Sequence, residues 1–209
     1  MSTNTLLRGL YPITPNNYKS DIDFEEKIIN IIKSGIKIFQ FRSKNLSSRK
    51  NKRLFQIILR SCYDNNVALI INDNIELVKK YECLGLHIGN NDENIKKARN
   101  ILGSSKIIGV SCYDSLESAI KAERFGASYV SFGSIFPTQN KVNYVLCDLE
   151  YTHKIRKKIN VPICLIGGIN INNIHEVYKV KPDMISMISG IFTEHNQKNI
   201  DTMINIFNE

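Results

Sequence analysis

The chain has 209 residues, of which 43% are hydrophobic, and it carries a formal net charge of +8. This length suits one domain or two small ones, and the composition is ordinary for a soluble globular protein. No apolar run reaches the roughly 18 residues that span a bilayer, and the first residues lack the basic-then-apolar pattern of a secretory signal. We therefore expect one domain over residues 1–209, in the cytoplasm and without a membrane partner.

The positive charge has two interpretations. It suits a protein that binds nucleic acid, and it equally suits a lysine-rich surface around a pocket for anionic substrates. The basic residues are dispersed, and only "SSRKNKR" forms a short run. This dispersion favours the second interpretation, so we expect small phosphorylated molecules rather than nucleic acid as partners.

The five cysteines show no C-x-x-C spacing and mostly lie inside apolar segments. An odd number without regular spacing argues against a disulfide framework or a zinc site. We expect reduced cysteines that pack in the core.

A short β-rich run followed by an amphipathic stretch recurs along the chain. In chain order the predicted strands are "LYPIT" (10–14), "KIFQFR" (37–42), "VALIIN" (67–72), "GLHIG" (85–89), "KIIGVSC" (106–112), "SYVSFGSIF" (128–136), "VPICLIGG" (161–168) and "MISMISG" (184–190). The stretches between them have helical periodicity; in "SLESAIKAERFG", for example, Ser115 can cap the helix and Gly126 ends it. The strands themselves are almost continuously apolar, which is typical of parallel strands covered on both faces.

Eight such units predict a compact α/β fold, the (β/α)8 or TIM barrel. With 209 residues the barrel is near the lower size limit and has little room for insertions. The main alternative is a doubly wound open sheet. That fold more often has five or six strands, and no Gly-x-Gly-x-x-Gly follows the first strand here.

In a barrel of this kind the chemistry lies at the C-terminal ends of the strands. Almost every such position in this sequence is polar, charged or glycine. In strand order the residues are Gln40, Arg42 and Lys44; Asn72 and Asp73; Asp92; Ser111; Thr138, Asn140 and Lys141; Gly167 and Gly168; and Ser189 and Gly190.

These residue types indicate an anion site with a metal. The three cations are suited to phosphate oxygens, and Asp73 and Asp92, after neighbouring strands, are suited to share one Mg²⁺. Glycines after the last two strands are where such barrels tend to bind phosphate. Each feature also has a plain structural explanation: an Asp after a strand is often a helix cap, and "IGG" can be only a tight turn.

The same residues resemble the thiamine phosphate synthase (thiamine-phosphate pyrophosphorylase) family. The matching segments are "GLYPIT", "QFRSK", "IIND", "GLHIGNND", "IIGVS", "GSIFPTQNK", "CLIGGI" and "ISMISGIF", which together extend over nearly the whole chain. The resemblance implies a (β/α)8 barrel that joins a pyrimidine methyl diphosphate to a thiazole phosphate and releases pyrophosphate.

The resemblance also implies roles for individual residues. The pyrimidine diphosphate site comprises Gln40, Phe41, Arg42, Ser43, Lys44, Asn72, Ser111 and Lys141, of which Arg42, Lys44, Ser111 and Lys141 are catalytic. The thiazole phosphate site comprises Thr138, Gln139, Asn140, Gly168, Ile188 and Ser189. The implied cofactor is Mg²⁺, bound by Asp73 and Asp92.

Several positions depart from the family pattern. Asn140 stands where a Thr is usual, and "SCYD" replaces the frequent "STHD". An amide still donates to phosphate, so we expect an altered affinity rather than a lost function. His87 has two interpretations, as a residue close to the site and as a packed core histidine.

Two other functions stay open. A sister family with this fold isomerises a thiazole phosphate carboxylate, but that reaction has no diphosphate leaving group and no need for the pair of carboxylates. A barrel that only binds anions or RNA would keep the positive charge and not the carboxylates. The sequence leaves open the oligomeric state, including a homo-oligomer, and whether the thiazole substrate is carboxylated.

Overall fold

Eight parallel strands and eight α-helices alternate along the part of the chain that the structure describes. The structure is a computed structural model. It describes residues 6–16, 18, 22–43, 48–89, 91–138, 145–192 and 196–208, with only the backbone of residues 92, 196 and 208. No helix within these ranges is long and apolar enough to cross a membrane.

The strands, numbered in chain order, are β1 Gly9–Pro12, β2 Ile38–Phe41, β3 Ala68–Asn72, β4 Gly85–Ile88, β5 Ile107–Tyr113, β6 Tyr129–Phe132, β7 Ile163–Ile166 and β8 Met184–Met187. The helices are α1 Ile22–Lys33, α2 Arg49–Asp64, α3 Ile75–Lys80, α4 Asp92–Leu102, α5 Leu116–Arg124, α6 Leu149–Arg156, α7 Ile174–Tyr178 and α8 Asn196–Asn205. A 3₁₀ turn, Ser189–Ile191, separates β8 from α8.

All eight predicted strands are present, and the predicted (β/α)8 barrel is confirmed. The order of neighbouring strands is β1-β8-β7-β6-β5-β4-β3-β2, and every pair is parallel. The barrel closes where β1 meets β2. There the backbone of Ile13 bridges to Gln40, and the hydroxyl of Thr14 accepts a 2.6 Å hydrogen bond from the Arg42 N–H and donates to the Arg42 carbonyl at 2.8 Å.

Side chains alternate between the inside and the outside of the barrel along each strand. The interior holds a small cluster that includes Tyr11, Ile38, Ile107 and Tyr129, whereas a much larger apolar layer lies between strands and helices. Gly109 faces Tyr129, and a methyl group at Gly109 would overlap the Tyr129 ring. The interior therefore accommodates two tyrosines because the neighbouring strand has no side chain at that point.

The predicted core cysteines are confirmed. Cys62, Cys83, Cys112, Cys147 and Cys164 are all buried and unpaired. Burial raises the pKa of the Cys112 thiol to about 12 and, with nearby Asp114 and Asp148, that of Cys147 to about 11. These thiols stay protonated at neutral pH and are poor nucleophiles.

Candidate active site

A pocket of about 510 Å³ opens at the C-terminal ends of the strands. It has the size of a typical small-molecule site. Each of the eight strands, or the loop that follows it, contributes to its lining. This is the end of the barrel where the sequence places the candidate site residues.

Nine of the predicted site residues line this pocket. They are Gln40, Arg42, Asn72, Asp73, Ser111, Thr138, Gly168, Ile188 and Ser189. Of the described lining residues, Arg42 is the basic one and Asp73 is the acidic one.

The other predicted site residues are not brought into the described pocket. The side chain of Phe41 points outward, is 2% exposed, and packs on Phe55 with 5.2 Å between ring centroids. Ser43 lies after β2 and is not among the lining residues. Lys44, Gln139, Asn140 and Lys141 fall outside the described residues, as does the side chain of Asp92, whose backbone begins α4.

Neither predicted metal ligand serves as a helix cap. The cap of α3 is Asn74, whose side-chain oxygen accepts a 2.8 Å hydrogen bond from the Leu77 N–H. The cap of α4 is Asn91, whose side-chain oxygen accepts from the backbone of the first turn. The cap interpretation is therefore wrong for Asp73, and the cap position of α4 is occupied by Asn91, while the side chain of Asp92 lies outside the described residues.

The Asp73 carboxylate lies at the pocket wall and is exposed. The side-chain amide of Asn72 donates a 2.6 Å hydrogen bond to Asp73 Oδ2. The backbone N–H of Asp73 donates to the His87 carbonyl at 2.9 Å, which ties the end of β3 to β4. The backbone of Asp73 has φ +59°, a conformation that Asp tolerates better than most residues.

A chain of hydrogen bonds runs across the barrel below the pocket. Gln40 Nε2 is 2.8 Å from Tyr11 Oη, and Tyr11 Oη is 2.8 Å from Tyr129 Oη. Tyr129 Oη is 2.8 Å from His87 Nδ1, and His87 Nε2 is 2.9 Å from Ser111 Oγ. Both interpretations of His87 therefore hold, because its ring packs against Tyr129 and also lines the pocket.

Burial sets the protonation of the residues in this hydrogen-bond chain at neutral pH. It raises the pKa of Tyr11 above its ordinary value and raises that of Tyr129 well above it. Burial, with the nearby charge of Arg42, lowers the pKa of His87 to about 4. The two phenols are protonated and the imidazole is neutral.

Sequence reasoning missed Tyr11 and Tyr129 as parts of this arrangement. One signal was present: a tyrosine inside a buried strand needs a partner for its hydroxyl. Which partner that hydroxyl meets depends on how strands from distant parts of the chain are arranged in the barrel.

The loops after β6, β7 and β8 form the opposite wall. The Gly168 carbonyl accepts hydrogen bonds from the side-chain amides of Asn173 at 3.0 Å and Asn170 at 3.3 Å. A Cβ at Gly168 would lie 2.5 Å from the Pro137 carbonyl oxygen, and the glycine has φ +65°. Glycine at this position thus lets the β7 loop approach the β6 loop that carries Thr138.

The helix after β7 begins only at Ile174, because the Asn173 side chain first closes a turn in which its oxygen accepts a 2.8 Å hydrogen bond from the Asn170 N–H. The 3₁₀ turn that begins at Ser189, by contrast, starts directly at the pocket. Of the starts of α7 and of the 3₁₀ turn, only the start of the 3₁₀ turn is formed by a residue that lines the pocket.

Comparison with known proteins identifies relatives over nearly the full chain. The family model for thiamine monophosphate synthase matches residues 10–191. A thiamine-phosphate synthase of Nitrosomonas eutropha is 36% identical over 185 residues, which are 88% of this chain and 87% of that protein. One of Caldanaerobacter subterraneus is 35% identical, with 93% and 91% covered.

Solved structures agree with these sequence relatives. The thiamine phosphate pyrophosphorylase of Pyrococcus furiosus has a TM-score of 0.81 at 29% identity and covers 99% of this chain and 98% of its own. A 3-hexulose-6-phosphate synthase, at 13% identity and a TM-score of 0.68, shares the fold alone. Because the family model matches residues 10–191 and these relatives extend over almost the whole barrel, the chain belongs to the thiamine monophosphate synthase family.

Proposed function

We propose that this chain joins the diphosphate of a 4-amino-pyrimidine methanol to a thiazole phosphate, giving thiamine phosphate and pyrophosphate. Family membership supports the reaction, and one observation ties it to this pocket. Two sets of polar groups lie on different halves of one mouth: Gln40, Arg42, Asn72, Asp73 and Ser111 come from β2 to β5, and Thr138, Gly168 and Ser189 come from the β6 to β8 side. Two sets of this kind suit two phosphorylated substrates that meet between them.

In this proposal the first half of the mouth holds the pyrimidine diphosphate. Arg42 and the Ser111 hydroxyl donate to diphosphate oxygens, and Lys44 and Lys141, which follow Arg42 and Thr138 closely in the sequence, add positive charge. Groups of this kind accelerate a reaction when they act where charge develops, which is on the departing pyrophosphate. Gln40 and Asn72 provide amide groups for the pyrimidine end.

The second half holds the thiazole phosphate. Thr138 and Ser189 provide hydroxyl groups, Gly168 and Ile188 provide backbone, and Gln139 and Asn140 adjoin Thr138 in the sequence. The start of the 3₁₀ turn at Ser189 presents backbone N–H groups, which favour an anion.

The reaction needs no protein nucleophile. The 4-amino group of the pyrimidine pushes electrons toward its exocyclic CH2, the C–O bond breaks, and its electron pair leaves with pyrophosphate. The thiazole nitrogen then forms the new C–N bond to the CH2. The described titratable groups next to the pocket fit this chemistry, since the phenols are protonated and His87 is neutral.

Magnesium fits the residues present. Asp73 offers an exposed carboxylate that no helix cap requires, and the described residues contain no group of three or more His, Cys, Asp or Glu that would form a complete protein cage. Mg²⁺ commonly takes one or two carboxylates together with substrate phosphates. We assign Asp73 and Asp92 as its ligands; when bound, the ion would neutralise charge on the leaving pyrophosphate.

The same proposal places the enzyme in the cytoplasm as a single domain that acts on small molecules. Five buried, unpaired cysteines suit a reducing compartment. We propose no nucleic-acid partner, because the basic residues are dispersed along the sequence.

The test is turnover by the purified chain with both substrates, with Mg²⁺ or with a chelator. We expect thiamine phosphate and pyrophosphate in equal amounts, and only with Mg²⁺. Isomerisation of a carboxylated thiazole phosphate without the pyrimidine substrate would instead identify a tautomerase. Salt-sensitive binding of RNA without turnover would identify a binding protein.

A further inference from the structure

The hydrogen-bond chain inside the barrel joins five residues from five strands: Gln40, Tyr11, Tyr129, His87 and Ser111. The Tyr11 side chain is 1% exposed and the Tyr129 side chain is fully buried, so neither phenol reaches a substrate in the pocket. Only the last residue, Ser111, has a hydroxyl in the group that would hold the diphosphate. The tyrosines can therefore act on a substrate only through the two ends of this hydrogen-bond chain, Gln40 at one end and His87 with Ser111 at the other.

The direction of donation along this hydrogen-bond chain follows from the number of hydrogens that each group carries. Gln40 Nε2 donates to Tyr11 Oη, and a phenol carries one hydrogen, so Tyr11 donates to Tyr129. Tyr129 then gives its hydrogen to His87 Nδ1, and the neutral imidazole carries its hydrogen on Nε2. His87 Nε2–H therefore donates to Ser111 Oγ.

Donation in the opposite direction along the hydrogen-bond chain would leave a buried hydroxyl without an acceptor. If His87 Nδ1–H donated to Tyr129 and Tyr129 to Tyr11, the Tyr11 oxygen would face two donors. Its own hydrogen would then have no acceptor among these partners, and a buried hydroxyl in that state is strongly disfavoured. Only reversal of the Gln40 amide would relieve this, and it would turn the Ser111 hydrogen toward His87.

We propose that Tyr11, Tyr129 and His87 are positioning residues: the two tyrosines hold His87 in its Nε2–H form, and His87 donates to one lone pair of Ser111 Oγ, which directs the Ser111 hydrogen into the pocket. The substrate group that accepts it is an anionic oxygen, and under the proposed function, on which this part rests, that oxygen belongs to the diphosphate. A serine whose hydrogen is already directed loses less freedom when the charge develops, which is the advantage of preorganised donors. The chain of five residues thus tunes one contact with substrate.

The histidine tautomer tests the direction without any substrate. In ¹⁵N-histidine-labelled protein at pH 7.5, with His87→Asn used to assign the signal, we expect the Nε2–H form of neutral His87. Tyr129→Phe removes the hydrogen that Nδ1 accepts, so in this variant the Nδ1 resonance should move toward that of an unprotonated ring nitrogen without a hydrogen bond, while Nε2 keeps its hydrogen. A wild-type His87 in the Nδ1–H form would overturn the proposal.

Turnover tests the consequence. Tyr129→Phe keeps the ring that fills the core, and we expect kcat to fall about tenfold with an unchanged KM for thiazole phosphate. Tyr11→Phe should act in the same direction, and Tyr63→Phe, which changes an 84% exposed tyrosine, should leave both constants unchanged. A loss in Tyr129→Phe that came from poor folding would lower the melting temperature strongly and would disappear when the rate is expressed per competent active site; that result would contradict the proposal.

A double-mutant cycle separates positioning from general damage. In a Ser111→Ala background, Tyr129→Phe should cause no further loss of kcat, because the hydroxyl that it positions is gone. An equal tenfold loss in both backgrounds would refute the proposed positioning of Ser111 through this hydrogen-bond chain. If the wild-type protein makes no thiamine phosphate, the proposed function fails. The tautomer measurement still tests the direction of donation along the hydrogen-bond chain.

Discussion

The side-chain amide of Asn72 donates a 2.6 Å hydrogen bond to the Asp73 carboxylate, and the next residue, Asn74, caps helix α3. Asn72 thus holds the Asp73 carboxylate at the pocket wall, and Asn74 rather than Asp73 caps the helix. A charged, exposed carboxylate in that position suits a cation that substrate phosphates also bind. The arrangement leads to the first prediction.

Asp73→Asn keeps the size of the side chain and removes its charge. We expect the Mg²⁺ concentration for half-maximal turnover to rise by about a hundredfold or more, because an amide is a weaker ligand than a carboxylate. Asn74→Ala is the matched control. It should cost about 1 kcal/mol of stability by removing the cap and leave the Mg²⁺ dependence unchanged. An unaltered Mg²⁺ titration in Asp73→Asn would exclude this carboxylate as a ligand.

Lys141 is expected to act on the leaving pyrophosphate. Lys141→Ala should lower the rate of the chemical step in single-turnover experiments by at least about a hundredfold and weaken thiazole phosphate binding much less. The reason is that a contact which strengthens as charge develops affects the transition state more than the bound substrate. Lys181→Ala, at the other end of the barrel, serves as the control for loss of a basic charge. A normal single-turnover rate with reduced thiazole affinity would contradict the assignment.

The neutral His87 predicts a pH dependence of stability. Its pKa is about 4 in the folded chain against an ordinary value of 6.5, so between these values the unfolded state binds more protons and stability falls as the pH falls. Between pH 7.5 and pH 5, with a chelator present, wild type should lose on the order of 1–2 kcal/mol more than His87→Asn. Denaturant titration at the two pH values measures this difference. Equal losses in the two proteins would show that His87 is not held neutral.

The sequence predicted the strands and the polar character of their ends because polar residues stand out against apolar runs. It assigned Phe41 and Ser43 to the site together with their neighbours, although alternation along a strand places Phe41 on the opposite face from Gln40. The sequence could not predict the hydrogen-bond chain, since Tyr11 and Tyr129 are 118 residues apart and meet only in the closed barrel. Similarly, only the backbone shows that Asn91, rather than Asp92, caps α4.

Gly168 carries the last prediction. The sequence suggested a small residue that lets backbone approach a phosphate, and the structure adds that a Cβ there would lie 2.5 Å from the Pro137 carbonyl oxygen. Gly168→Ala should therefore displace the β6 loop with Thr138. We expect about a tenfold loss of thiazole phosphate affinity, since one or two hydrogen bonds to the anion are at stake.

Gly35→Ala provides the comparison, because Gly35 also has a positive φ, +95°, and a Cβ there would meet nothing within 4 Å. That variant should lose about 1 kcal/mol of stability through backbone strain alone. Gly168→Ala should lose more than this, because crowding adds to the strain. Titration of each substrate separately should show the pyrimidine diphosphate site unaffected in both variants. Equal stability losses together with wild-type thiazole phosphate affinity would mean that neither the crowding at Gly168 nor the phosphate site beside it is as we describe.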